Sequence, residues 1–145
     1  MTADDPRLTD RASYPLWTHD KLRYADTDRQ GHINNAKFAT FLETGRVAFL
    51  YDPTAPLAPQ GCEFVIARLV VDFLAELRWP GEVDIGSRIL SIGRSSLRFG
   101  QGLFVGERCV ATAETVIVLT DATTRRSTPL PEALRARLAA LAPAG

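Results

Sequence analysis

One stretch of helical periodicity near the start of the chain constrains the fold most. Its apolar positions follow the i, i+3, i+4, i+7 and i+11 spacing of one helix face: Phe38, Phe41, Leu42, Gly45 and Phe49. The helix is expected to begin after Asn34 or Asn35, which are good N-caps, and to end near Tyr51, because three prolines follow within residues 52–61. Glycine costs a helix about 1 kcal/mol relative to alanine. Gly45 therefore indicates a close approach to another backbone.

Most of the remaining chain has the composition of β-strands joined by short connections. Strands are predicted at 16–24, 63–73, 82–93, 96–105 and 108–121, with a short helix at 131–141. Alternation along 63–73 places Val65 and Phe73 on one face and Phe64 on the other. Short connections such as Gly106-Glu107, which suits a type II′ turn, imply an antiparallel sheet.

The economical packing of these elements is an α+β fold, with the long helix lying across a curved antiparallel sheet of five or six strands. Residues 1–13 are interpreted as a loose polar leader and 14–145 as a single domain. An exposed strand edge or second sheet face would need covering, which favours a homodimer or homotetramer.

Charge and cysteine content narrow the class of protein. The 145 residues carry 17 basic and 17 acidic side chains, so no broad attraction to nucleic acid or to an anionic membrane is expected. The leader lacks the apolar run of a signal peptide, and no run of about 18 apolar residues occurs. Two cysteines without a CxxC pair, and two histidines, assemble no familiar zinc spacing. We therefore expect free thiols, a cytoplasmic location and no metal.

The turn from Tyr24 to Asn35 joins the first strand to the long helix and could carry chemistry. A helix start presents unpaired backbone N–H groups, and a carboxylate beside them can act as nucleophile or base while they hold an oxyanion. Those are the parts that acyl hydrolysis needs. Turn and cap formation is the alternative interpretation of the same Asp and Asn residues. A calcium loop is disfavoured, because its twelfth position is Lys37 rather than glutamate.

The run from Leu22 to Leu50 resembles the hot-dog-fold thioesterases of the 4-hydroxybenzoyl-CoA thioesterase type. The resemblance rests on a "DTD…GHxNNAxY…FxE…R" pattern, which stands here as Asp26-Thr27-Asp28, then Gly31 to Phe38, then Phe41-Leu42-Glu43 and Arg46. Weaker similarity extends over residues 15–138. The family fold is a helix wrapped by an antiparallel sheet, as the periodicity also predicts.

The resemblance implies a role for several residues of the turn. Asp28 matches the family's nucleophile or general base, and Asn35 matches the position whose backbone N–H polarises the thioester carbonyl. His32 and Asn34 match polar site positions. The resemblance also implies that sites lie between subunits, and that no metal or redox cofactor takes part.

Other candidates have weaker support. Arg68 belongs to a family-like strand and is assigned to substrate binding, with an ion pair to Asp72 as the alternative. A further assignment is the binding of a CoA phosphate by Arg94, Ser95 and Ser96. The alternative is that these residues form a solvated turn without a ligand. Glu43 and Arg46 have the spacing of an i, i+3 ion pair.

The sequence thus predicts a cytoplasmic acyl-CoA thioesterase that hydrolyses a fatty or aromatic acyl thioester of CoA or acyl-carrier protein. Two other functions stay open at this point. One is a hydroxyacyl-thioester dehydratase of the same fold, although His32 and Asp28 on one short turn match that chemistry poorly. The other is a non-catalytic acyl-CoA-binding module, which would bind ligand without releasing thiol.

Overall fold

The structure is a computed structural model that describes residues 5–142 of the chain. The first four residues of the predicted leader and the last three of the predicted domain lie outside the described residues. Seven main elements follow one another along the chain: β1 (Leu16–Lys21), α1 (Asn35–Leu50), β2 (Cys62–Phe73), β3 (Glu82–Ile92), β4 (Ser96–Val105), β5 (Arg108–Asp121) and α2 (Glu132–Leu141).

The five strands form one antiparallel sheet in the order β1-β3-β4-β5-β2. Strands β1 and β2 are consequently its two edges. The α+β architecture predicted from periodicity, one long helix on an antiparallel sheet, is confirmed. The β4–β5 hairpin turns at Gly106, whose φ of +60° suits the predicted glycine-first turn.

Helix α1 packs its apolar stripe against one face of the sheet. The stripe residues Phe38, Phe41 and Leu42 are buried. A Cβ at Gly45 would lie 2.5 Å from Ile85 Cγ2 and 2.7 Å from Gln101 Nε2. The predicted close approach therefore exists, but it is to side chains of β3 and β4 rather than to another backbone.

Two strand predictions are wrong in detail. Strand β1 ends at Lys21 rather than at Tyr24, because residues Tyr24–Asp26 form a 3₁₀ turn. A bulge in β2 between Ile66 and Arg68 interrupts the alternation. In consequence Phe64 and Leu69, which simple alternation places on opposite faces, both pack into the core.

The described part of the leader, residues 5–13, is packed rather than loose. It forms two short 3₁₀ helices, whose first N–H groups are capped by Asp5 and Asp10. Leu8 is 1% exposed and lies in a cluster with Tyr14 and Phe104, on the sheet face opposite α1. The expectation of a loose leader is wrong there, because one apolar residue among polar neighbours suffices to anchor it.

Candidate active site

The loop between β1 and α1 is closed by backbone hydrogen bonds. Thr27 and Ile33 form an antiparallel bridge, and inside it the Asp28 N–H donates to the His32 carbonyl at 2.7 Å. Gly31 adopts a φ of +82°, which lets the chain reverse within this short span. The closure brings Asp28 alongside the residues that lead into α1.

Asp28 is half-buried and held by backbone amides. Its Oδ1 accepts hydrogen bonds from the N–H of Gln30 at 2.9 Å and from the N–H of His32 at 3.2 Å. Among the described residues, no donor bonds its Oδ2. One oxygen is therefore fixed by the loop, and the other is available to a ligand.

Asp26 has a different environment from Asp28. Its carboxylate is 4% exposed and accepts from Arg23 at 2.8 and 3.1 Å, with Lys37 Nζ 3.7 Å away. The hydrogen bond from Arg23 holds the pKa of Asp26 below its ordinary value. Asp26 is the last residue of the 3₁₀ turn Tyr24–Asp26. Its negative charge is compensated locally.

The start of α1 lies directly beside this loop. Asn34 is the N-cap, and its side chain accepts from the N–H of Ala36 at 2.9 Å. The Asn34 N–H donates to the Asp26 carbonyl at 2.9 Å. This bond links the start of α1 to the part of the loop that follows β1. Asn35 is the first helical residue, and its N–H has no acceptor within the described chain. The Oδ2 of Asp28 and the N–H of Asn35, neither of which has a partner within the described chain, therefore lie in one short segment of the sequence.

The His32 side chain points towards the segment before β3 rather than towards Asp28. Its Nε2 lies 2.8 Å from Arg78 Nη2 and 3.3 Å from Glu76 Oε2. The sequence analysis missed Glu76 and Arg78, which are more than forty residues along the chain from His32. No local pattern marks them.

The remaining predicted binding residues lie elsewhere in the chain. Arg68 is exposed on the edge strand β2. Arg94 and Ser95 lie in the β3–β4 turn and Ser96 begins β4, at the far end of β3 from Asp28. Since β3 has 11 residues, that separation is about 35 Å. A single chain therefore does not bring Arg94, Ser95 and Ser96 to the Asp28 loop.

Arg46 and Glu43 do not form the predicted ion pair. The Arg46 side chain is 5% exposed and donates to Gln101 Oε1 at 3.4 Å, whereas Glu43 is exposed. No Glu43–Arg46 contact occurs among the salt bridges of residues 5–142. Burial lowers the pKa of Arg46 from its ordinary value.

Within the described chain, no group of three or more His, Cys, Asp or Glu side chains is arranged to hold a metal ion. No helix of residues 5–142 combines the length and apolarity needed to cross a membrane.

Comparison with known proteins tests the predicted fold and activity. Residues 22–138 match the model of the thioesterase-like superfamily. The chain belongs to this superfamily. The hot-dog fold is therefore confirmed, and the prediction of a thioester hydrolase is confirmed at the level of the family.

Individual relatives agree with the family assignment. The acyl-CoA thioester hydrolase YbgC of Escherichia coli O6:H1 is 26% identical over 118 residues, 79% of this chain and 88% of that protein. A thioesterase of Thermus thermophilus, crystallised with coenzyme A and zinc, is 32% identical with a TM-score of 0.76, over 86% of this chain and 98% of that one. The PA5185 protein of Pseudomonas aeruginosa PAO1 has a TM-score of 0.82 at 25% identity, over 94% and 97% of the two chains.

Proposed function

We propose that this protein hydrolyses a fatty or aromatic acyl-CoA thioester to the free acid and a thiol. The observation that carries the proposal is the Asp28 carboxylate, whose Oδ1 is fixed by two amides while Oδ2 has no donor among the described residues, in the loop that leads into α1. The superfamily supports hydrolysis of a thioester. The name of the Escherichia coli relative and the coenzyme A bound to the Thermus relative support CoA as the carrier.

Two routes use the same groups. As nucleophile, Asp28 attacks the thioester carbon, the thiolate leaves and takes a proton from solvent, and water then hydrolyses the mixed anhydride. As general base, Asp28 takes a proton from water while that water attacks the same carbon; the C–S bond then breaks, and the leaving thiolate takes the proton from Asp28. In both routes the N–H of Asn35 stabilises the oxygen that becomes negative. An acyl adduct on the Asp28 peptide after rapid quenching, detected by mass spectrometry, identifies the first route.

The assignment to the 4-hydroxybenzoyl-CoA subgroup and the roles of His32 and Asn34 belong to this proposal. His32 would help to form the site through its contacts with Glu76 and Arg78. Asn34 would do so as the N-cap, because its hydrogen bond to Ala36 fixes the first turn of α1. A cytoplasmic location is supported by Cys62 and Cys109, both of which are free thiols.

Thiol release from a panel of acyl-CoA compounds tests the proposal directly. We expect turnover of at least one fatty or aromatic acyl-CoA, followed with a thiol-reactive dye. Saturable binding of acyl-CoA without thiol release would contradict hydrolysis and favour a binding module. Formation of an enoyl product from a 3-hydroxyacyl-CoA would instead favour a dehydratase.

We also infer that the active form is a homodimer or homotetramer built on the free edge of β2. The Tyr51 hydroxyl bonds the backbone N–H and C=O of Phe64 on that strand, but no other strand of the described chain pairs with this edge. Apolar side chains on β2 are incompletely covered, with Ile66 49% and Phe73 53% exposed. A second copy would bury these groups, and it could bring Arg68 or Arg94 of one copy towards the Asp28 loop of the other.

Light scattering on the purified protein should give a mass that is a multiple of the 15.9 kDa chain. Replacing Ile66 by lysine is expected to shift the mass towards that of one chain, because an unpaired charge would be buried in the contact. The matched control is Val105→Lys in the β4–β5 hairpin, where the side chain is 44% exposed. A wild-type protein that has the mass of one chain would refute the inference.

A further inference from the structure

An apolar cavity lies away from the Asp28 loop. Its volume is about 430 Å³, within the range of about 300–1,000 Å³ that small-molecule sites occupy. The second half of α1, the start of β1 and helix α2 form its walls. Small residues of the lining leave the space open, namely Ala48, Ala55 and Ala140.

The cavity and the Asp28 loop are at opposite ends of α1. The helix has 16 residues and is therefore about 24 Å long. Asn35 lies at its first residue, whereas the cavity is lined from Gly45 to Asp52 at the other end. Strand β1 also separates the cavity from the Asp28 loop. Its first residue, Leu16, lines the cavity, and the strand runs from there towards the loop. The cavity is a different site.

The lining is mainly apolar but includes Thr18 and Ser87, and its charged residues are Asp52 and Arg137. Ile85, Leu57 and Phe49 supply aliphatic and aromatic surface, which suits a hydrocarbon chain. Arg137 stands at the rim, where its guanidinium donates to the carbonyls of Pro56 at 3.0 Å and Ala55 at 3.1 Å. No carboxylate of the described residues forms an ion pair with it. Its charge is thus positioned by the backbone and is not neutralised.

Asp52 also lines the cavity, and its charge would oppose an anion. However, its Oδ1 accepts from both the N–H and the hydroxyl of Thr54, at 2.9 and 2.8 Å, which fixes the carboxylate into its own turn. Arg137 and Asp52 form no salt bridge within residues 5–142. Arg137 is therefore the cation available to a ligand head group.

We propose that this cavity binds a free aliphatic carboxylic acid of medium chain length, with the tail among the small residues and the carboxylate on Arg137. Charge complementarity favours a carboxylate over a neutral ligand, because a hydrocarbon alone would leave the Arg137 guanidinium without a counter-charge. The assignment does not depend on the proposed function, because it requires binding and no turnover.

Calorimetric titration with octanoate tests the proposal, and octanol serves as the uncharged probe of similar length. We expect wild-type protein to bind octanoate at least tenfold more tightly than octanol. Ala140→Leu, which fills the cavity, should weaken octanoate at least tenfold. Ala139→Leu is the matched control, since Ala139 is exposed on the same helix and does not line the cavity. Arg137→Met should remove the preference for octanoate, and Arg137→Lys should restore part of it.

Each other outcome overturns a stated part of the proposal. Equal binding of octanol and octanoate refutes the role of Arg137. Unchanged octanoate affinity in Ala140→Leu places the ligand elsewhere, and absence of binding to the wild type refutes the site. A change of oligomeric mass in Ala140→Leu would assign the cavity to a contact between copies. Thiol release is assayed separately, so its failure bears on the proposed function alone.

Discussion

Replacing Asp28 by asparagine is expected to lower kcat on a good acyl-CoA by about 10²- to 10⁴-fold while the protein stays folded. The asparagine Oδ1 can still accept from the N–H groups of Gln30 and His32, so the loop keeps its closing hydrogen bonds. The charge that would attack the thioester or activate water is gone. Thiol release measures kcat, and circular dichroism with a thermal melt verifies the fold.

The chain contains a matched control for this substitution. Asp121 also accepts from two backbone N–H groups, those of Thr123 at 2.8 Å and Thr124 at 2.9 Å. It lies at the end of β5, next to the β3–β4 turn and far from Asp28. Asp121→Asn should therefore leave kcat nearly unchanged. If Asp28→Asn turned over substrate as fast as Asp121→Asn, Asp28 would have no catalytic role.

The parts of the fold that depend on local patterns were predictable from the sequence. The limits of β4 and β5 agree to the residue, because Gly106 marks the turn between two strongly apolar strands. The N-cap was predicted at Asn34 or Asn35 and is Asn34, and α1 was predicted to end near Tyr51 and ends at Leu50. Both agree because capping and proline placement act within a few residues.

Features that depend on tertiary packing were not predictable in the same way. The β2 bulge is visible only once β5 is paired with it, because the alternating pattern itself continues across Ala67. Arg46 is buried against Gln101 of β4, so its helical spacing from Glu43 did not decide its partner. The contacts of His32 with Glu76 and Arg78 likewise join distant segments. Of the candidate site, the sequence pointed to the Asp28 loop and its neighbouring helix start, because these residues are contiguous in the chain; their catalytic role stays a prediction.

Substituting Asp26 by asparagine should act on stability, in contrast to Asp28→Asn. The wild-type carboxylate is almost fully buried beneath Arg23 and Lys37, and it accepts two hydrogen bonds from the Arg23 guanidinium. An amide can accept only on one side and presents its own donors to a cation. We expect the free energy of unfolding at pH 7 to fall by about 1–2 kcal/mol, measured by urea denaturation. Glu107→Gln, which removes a charge that is 90% exposed, should change it little.

The pH dependence of that difference follows from the direction of the pKa shift. Arg23 lowers the pKa of Asp26 in the folded state. The ionised carboxylate therefore stabilises the fold fully at pH values above the ordinary pKa of aspartate, 3.8. That stabilisation is lost as the pH falls through the lower, folded value. The gap between wild type and Asp26→Asn should therefore be full at pH 7 and should narrow progressively below about pH 4. A gap that stayed constant down to pH 2 would show that the charge of Asp26 does not stabilise the loop.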